Sequence, residues 1–171
     1  MLTSLFDFSN EDGDLIEFIS KNKESLKKDF QQKLSTQEET LKFIFSGLTE
    51  AKKQKLKSVE CIWNVAGYIN TCSLDLSVTG EALILEPDPW KRRFYSRMAA
   101  TNIFEATIDI PNMVGKKFRT QVITLPGGSQ FLDDLGNVVK QLSKFKSNHS
   151  SWLKDIRICC SAHRDKDLGE Q

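Results

Sequence analysis

The sequence lacks most of the features that identify an enzyme or a membrane protein at first reading. It has no phosphate-binding glycine loop, no His-Glu-x-x-His pair and no Gly-x-Ser-x-Gly elbow. No apolar run approaches the roughly 20 residues that a helix needs to cross a bilayer. Residues 1–14 have neither a basic start nor a long apolar centre. We therefore expect no signal peptide, no membrane partner and a cytoplasmic location.

Metal ligands and nucleophilic side chains are also scarce. The chain has two histidines, His149 and His163, and four cysteines. No Cys-x-x-Cys pair occurs, and the adjacent Cys159 and Cys160 have no matching second pair. We therefore expect no metal site and no cofactor. A chain of this length does not need disulfides to fold, so the thiols are predicted to be reduced and mostly buried.

What the sequence does contain is typical of one globular domain spanning residues 1–171. Hydrophobic residues make up 39% and charged residues 27% of the chain, which separates it from disordered proteins. The net charge of +1 does not itself predict a polyanionic partner. Residues 140–164 are nevertheless basic, which fits either a solvated helical face, the interpretation we favour, or a phosphate-binding surface.

Apolar residues recur at intervals of three and four along most of the chain. This pattern predicts an all-α bundle of four to six helices. Ser35 or Thr36, followed by two glutamates, predicts the capped start of a second helix. Gly47, Gly67 and the charged residues 52–57 predict a bend or break in the long apolar pattern around them.

The second half of the chain has clearer helix boundaries. Asp88 and Pro89 predict the start of a helix that continues, with an apolar stripe of Trp90, Phe94 and Met98, to the proline at position 111. A shorter helix should end near the turn at 125–128. A further helix covers 131–142, and residues 149–151 cap the last one. Residues 72–79 alternate between apolar and polar, so 72–85 are predicted as either a short β-hairpin or a loop.

Five polar residues spaced by four lie on the helix that begins at Pro89. They are Arg93, Arg97, Thr101, Glu105 and Asp109. Residues at this spacing lie on neighbouring turns of one helix face, so we interpret them as a surface stripe of ion pairs. The alternative is a polar strip in which Arg97 and Glu105 line a groove beside a C-terminal site.

The C-terminal segment carries the most specific pattern, in which five residues separate Arg157 from His163 within the sequence RICCSAH. This pattern resembles the Arg-x(4–6)-His motif of the HEPN superfamily, whose all-helical domains occur in toxins and antiviral defence proteins. The resemblance implies a domain that either binds RNA or cleaves it without a metal. His163 would act as general base or acid at a ribose 2′-hydroxyl, and Arg157 would hold the phosphate.

The residues around this motif leave alternatives open. Lys154, Ser161 and Arg164 share a basic helical stripe with Arg157 and are candidate nucleic-acid contacts. His163 itself continues an apolar stripe, so it is equally interpreted as a buried, hydrogen-bonded residue. Catalytic members usually have a polar residue after the arginine, whereas this chain has Ile158.

The expected partners follow from the resemblance. They are RNA, a second copy of the chain in a homodimer, and a cognate antitoxin or another protein. The alternative function is a non-catalytic helical interaction module, and an enzyme acting on a small nucleotide is a third.

Overall fold

The computed structural model describes residues 13–157, with side chains from residue 17 to residue 155, and this part of the chain forms five α-helices. They are α1 (Gly13–Lys53), α2 (Lys57–Leu85), α3 (Pro89–Met113), α4 (Lys116–Val122) and α5 (Gly128–Arg157). No strand occurs among these residues, and the predicted all-α bundle of four to six helices is confirmed for them. None of these helices has an apolar stretch long enough to cross a membrane.

The helices pack in chain order around two apolar clusters. Helix α1 lies on α2, α2 on α3 and α3 on α5, while the short α4 lies against α2 and α5. The larger cluster joins α2, α4, the α3–α4 connection and the beginning of α5. Its buried members are Val65, Val114, Phe118 and Val122, and Leu132, Leu135 and Val139 pack against them.

The second cluster determines the direction of α5. Ala100 of α3 and Leu153 of α5 are both buried and in contact. The beginning of α5 lies near the end of α3, where Leu132 packs on the cluster that contains Val114. Helices α3 and α5 therefore run antiparallel, so the last turns of α5 lie along the first half of α3.

The predicted helix start at Ser35 or Thr36 is wrong, because α1 continues through this position to Lys53. The Thr36 hydroxyl donates a hydrogen bond of 3.0 Å to the Gln32 carbonyl of the preceding turn and therefore does not cap a new helix. The break predicted within 52–57 is confirmed. Lys55 adopts a left-handed φ of 58° between α1 and α2.

Residues 72–85 form neither a hairpin nor a loop but the second half of α2. Cys72, Ser73, Leu76 and Ser77 line one side of the helix at intervals of three and four. Ser77 is buried, and its hydroxyl donates a 2.8 Å hydrogen bond to the Ser73 carbonyl. Small serines at helix–helix contacts thus conceal the helical period from a pattern based on hydrophobicity alone.

The predicted boundaries of α3 and α5 are partly correct. The Asp88 carboxylate caps α3 by accepting hydrogen bonds from the amides of Trp90 (2.8 Å) and Lys91 (3.3 Å). Helix α3 passes through Pro111 and ends two residues later. The turn at 125–128 is confirmed, with Gly127 at a φ of 73°. The predicted helix start at 149–151 is wrong, since α5 is continuous from Gly128 to Arg157.

Candidate functional site

The C-terminal end of α5 packs on α3 around Leu153. Leu153 is fully buried against Ala100, with the partly buried Ile103 and Phe104 around it. Lys154, the next residue, is exposed, as its place on the predicted basic stripe requires. The described part of α5 extends to Arg157, one turn beyond Leu153.

The rest of the predicted site falls beyond this point. Ser161, His163 and Arg164 lie outside the described residues, and Arg157 is described only as the final backbone position of α5. The structure thus places the beginning of the Arg-x5-His segment. The proposed relation between Arg157 and His163 stays a prediction.

The predicted groove residues on α3 occupy different positions relative to the end of α5. Because α3 and α5 are antiparallel and Leu153 meets Ala100, the turn that ends at Arg157 runs along the α3 segment just before Ala100. Arg97 lies in that segment and its side chain is exposed. Glu105 is also exposed but lies two turns further along α3, on the other side of Ala100. Only Arg97 therefore lies level with the end of α5.

The polar stripe on α3 does not form the predicted series of ion pairs. None of its charged side chains is paired with another charge among residues 17–155. Asp109 is half-buried and accepts a 2.8 Å hydrogen bond from the Tyr68 hydroxyl, which joins α3 to α2. Residues four apart drift by about 40° around a helix. The stripe consequently begins on the surface at Arg93 and ends in the α2–α3 interface.

The first turns of α3 expose a group of aromatic and arginine side chains. Trp90 is 72% exposed and Phe94 49% exposed, although both were predicted as part of an apolar stripe. The guanidinium carbon of Arg93 lies 4.8 Å from the centre of the Trp90 ring, a cation–π arrangement. Arg97 follows one turn after Arg93. The sequence holds the signal for this surface in the alternation of aromatic and arginine residues at intervals of three and four.

Two thiols and one phenol of α2 have raised pKa values. Burial raises the pKa of the Cys72 thiol, and burial likewise raises the pKa of Cys61. Burial and the hydrogen bond to Asp109 hold the pKa of Tyr68 above its usual range. A protonated thiol is a weak nucleophile, so neither cysteine is poised for covalent catalysis.

A shallow groove of about 360 Å³ lies where α1, α2 and α3 meet, lined by Lys33, Cys72 and Ile110 among others. Beside it the Gln37 amide donates a 2.6 Å hydrogen bond to the Ser73 hydroxyl, and the buried Gln37 oxygen Oε1 has no hydrogen-bond partner among the described residues. Within the described range, no three or more histidine, cysteine or acidic side chains are grouped so that they could hold a metal ion.

Comparison of the chain with protein-family models, curated proteins and solved structures gave no match.

Proposed function

We propose that the chain is a HEPN-like helical domain that binds RNA and cleaves it without a metal in a toxin or defence context, with Arg157 and His163 as the reacting pair. The observation that carries the proposal is the position of Arg157. Its backbone lies on α5 one turn beyond the buried Leu153, level with the exposed Arg97 of α3. Arginines from two helices would give an RNA phosphate two charged contacts at one end of the bundle.

In the proposed reaction the imidazole of His163 takes the proton of a ribose 2′-hydroxyl, and the hydroxyl oxygen attacks the adjacent phosphorus. The bond from phosphorus to the 5′-oxygen breaks, and that oxygen receives the proton that His163 took from the 2′-hydroxyl. The products carry a 2′,3′-cyclic phosphate and a 5′-hydroxyl. Arg157 stabilises the negative charge that develops on the phosphate oxygens. An ordinary histidine pKa near 6.5 suits both proton transfers at neutral pH.

The spacing of the pair supports a homodimer. Six positions turn an ideal helix by about 600°, so Arg157 and His163 on one straight helix would lie roughly 120° apart and could meet only if the helix unwound before His163. Two copies related by a two-fold axis can instead combine their residues in one groove. Helix α5 also has an unburied apolar face that suits such an interface. Its members recur every seven residues and are 39–55% exposed: Phe131, Val138, Phe145 and Trp152.

A test of the dimer replaces Val138, the most exposed member of this face. Sedimentation of the wild type at micromolar concentration should show a dimer, and Val138→Glu should show a monomer with unchanged helix content. A monomeric wild type would refute a groove formed by residues of two copies.

The same apolar face favours a second candidate, a non-catalytic helical module that binds another protein such as a cognate antitoxin. Large exposed apolar surfaces are typical of protein interaction sites. Ile158, in place of the usual polar residue after the arginine, also fits this candidate.

The decisive experiment follows cleavage of labelled single-stranded RNA in EDTA. The wild type should cleave the RNA. Arg157→Ala and His163→Ala should bind the RNA more weakly or fail to cleave it. The melting temperature of both variants should match that of the wild type. His149→Ala is the matched control, because His149 is exposed on the same helix with its ring centroid 4.6 Å from that of Phe145. Arg157→Lys keeps the charge but loses the two-pronged phosphate contact, so it should cleave slowly.

Three outcomes separate the candidates. Cleavage that survives both alanine substitutions would refute the assigned pair. Salt-sensitive RNA binding without cleavage would leave an RNA-binding domain only. No RNA binding by the wild type, together with a lowered melting temperature of His163→Ala, would make His163 structural and favour the interaction module.

A further inference from the structure

The first two turns of α3 present a surface that the bundle does not use for its own packing. Trp90 is more exposed than any other large hydrophobic side chain described, at 72%, and Phe94 lies one turn later at 49%. Arg93 and Arg97 interleave with them, and neither forms an ion pair with a described residue. We infer that this surface, defined by these four residues and called here the α3 surface, stacks an unpaired base of a single RNA strand.

The backbone under the α3 surface is already satisfied and fixed. The Asp88 carboxylate accepts hydrogen bonds from the Trp90 and Lys91 amides, so these amides are not free to bind an anion. The Lys91 ammonium lies 3.7 Å from the Glu86 carboxylate. A ligand would therefore be recognised by the side chains of the surface, and above all by its arginines and aromatic rings.

The chemistry of these side chains matches unpaired RNA. An exposed indole ring stacks on a base whatever the base is, and arginine contributes both phosphate contacts and cation–π contacts. In Arg93 and Trp90 this pair of functions is already assembled, with 4.8 Å between the guanidinium carbon and the ring centre. An RNA duplex hides the faces of its bases and is bound mainly through its backbone, so it would leave Trp90 without a role.

A partner protein matches the α3 surface less well. Association of helices through apolar side chains uses a continuous apolar stripe, as on the outer face of α5. On α3 the aromatic rings are separated by arginines, which would have to lose water on burial against another helix. Interleaved cations and rings are also found at single-strand nucleic-acid sites, and because tryptophan and arginine are enriched at protein interfaces as well, the choice of RNA over a protein rests on the proposed function.

The α3 surface also lies close to the proposed reacting end. The turn that ends α5 at Arg157 runs beside the segment just before Ala100, and Trp90 lies about 9 Å further along the α3 axis. One strand held by Arg157 could therefore reach Trp90 with a neighbouring nucleotide. In this respect the inference rests on the proposed function and assigns its substrate as an unpaired strand.

The test measures binding of a fluorescent oligouridylate and of an RNA duplex of equal length by anisotropy. Trp90→Ala should weaken single-strand binding roughly 5- to 100-fold, and Trp90→Phe by less, because a smaller ring still stacks. Arg97→Gln should lower the dependence of log affinity on log salt by about one unit. Phe43→Ala is the matched control, since Phe43 is 68% exposed on α1 and its ring packs on Trp63. It should bind like the wild type.

The outcomes distinguish this inference from the proposed function. Equal single-strand affinity of Trp90→Ala and wild type would overturn the α3 surface and leave the Arg157–His163 pair untouched. If the duplex binds as tightly as the single strand and loses as much affinity in Trp90→Ala, the choice of an unpaired strand is overturned. A loss of self-association in Trp90→Ala, with RNA binding unchanged, would make the surface an interface between copies. Failure of the wild type to bind any RNA would overturn both proposals. A Trp90→Ala defect without any effect of Arg157→Ala would retain the α3 surface and refute the pair.

Discussion

Replacing glycine by alanine should have opposite effects on the free energy of unfolding at two positions inside helices. A Cβ added at Gly47 of α1 would lie 2.5 Å from Cε2 of Trp63 on α2, which is far closer than a van der Waals contact. A Cβ added at Gly136 of α5 would meet no atom within 4 Å. The pair therefore tests the packing of α1 on α2 separately from the continuity of α5.

The expected magnitudes follow from two opposing terms. Alanine favours a helix over glycine by about 0.5–1 kcal/mol, and at Gly136 nothing opposes this gain. At Gly47 the Trp63 indole must move, although its ring is held against Phe43 with 5.5 Å between the ring centres. Overpacking of this kind costs about 1–3 kcal/mol. We expect Gly136→Ala to raise the free energy of unfolding by about 0.5–1 kcal/mol and Gly47→Ala to lower it by about 0.5–2 kcal/mol.

Urea unfolding followed by circular dichroism measures both changes. Trp63→Leu provides a second background, because without the indole ring Gly47→Ala should become stabilising like Gly136→Ala. If Gly47→Ala stabilises the wild type, the contact of Gly47 with Trp63 is refuted. If Gly136→Ala destabilises, α5 is not a continuous helix at that position.

Three further substitutions test local features of the fold. Lys55→Gly should raise the free energy of unfolding by about 1 kcal/mol in urea titrations, because Lys55 holds a left-handed φ of 58° that glycine adopts without strain. Lys55→Ala should not. Leu153→Ala should lower the melting temperature strongly, at a cost of about 2–5 kcal/mol, whereas Leu56→Ala, at a side chain 45% exposed, should have little effect. Because burial and the Asp109 hydrogen bond raise the pKa of Tyr68, the unfolded chain loses this proton more readily than the native one. The free energy of unfolding of the wild type should therefore fall as pH rises above about 10. Unfolding measured at a series of pH values should show a smaller fall for Tyr68→Phe.

The sequence predicted those boundaries that local chemistry determines. Asp88 and Pro89 start α3 because an acceptor side chain and a fixed φ act within one turn. Gly127 ends the connection before α5 because the chain there needs a positive φ. The errors arose where tertiary packing overrides a local signal. The threonine at position 36 bonds within α1, and Ser77 is buried between helices, so polar residues that suggested a cap or a strand lie in continuous helices.

At the candidate site, too, the sequence predicted what depends on local pattern and missed what depends on tertiary packing. The exposure of Lys154 followed from its place on a basic stripe. The exposure of Trp90 did not follow from its sequence pattern, because an aromatic residue at helical spacing is usually part of a core face. Whether such a face is buried depends on which helix covers it. Within residues 17–155, α5 covers α3 at Ala100 and Ile103, while Trp90 near the start of α3 stays exposed.

The antiparallel packing of α5 on α3 also explains why two segments distant in sequence are proposed to act together. Leu153 joins the end of α5 to the middle of α3, so the turn that ends at Arg157 extends towards Arg97 and Trp90. The opposite half of α5 packs on the cluster of Val65, Val114, Phe118 and Val122, away from this end of the bundle. Loosening the packing of α5 on α3 at Leu153 should therefore weaken RNA binding through both surfaces at once, while Trp90→Ala and Arg157→Ala should each remove one contact and leave the other.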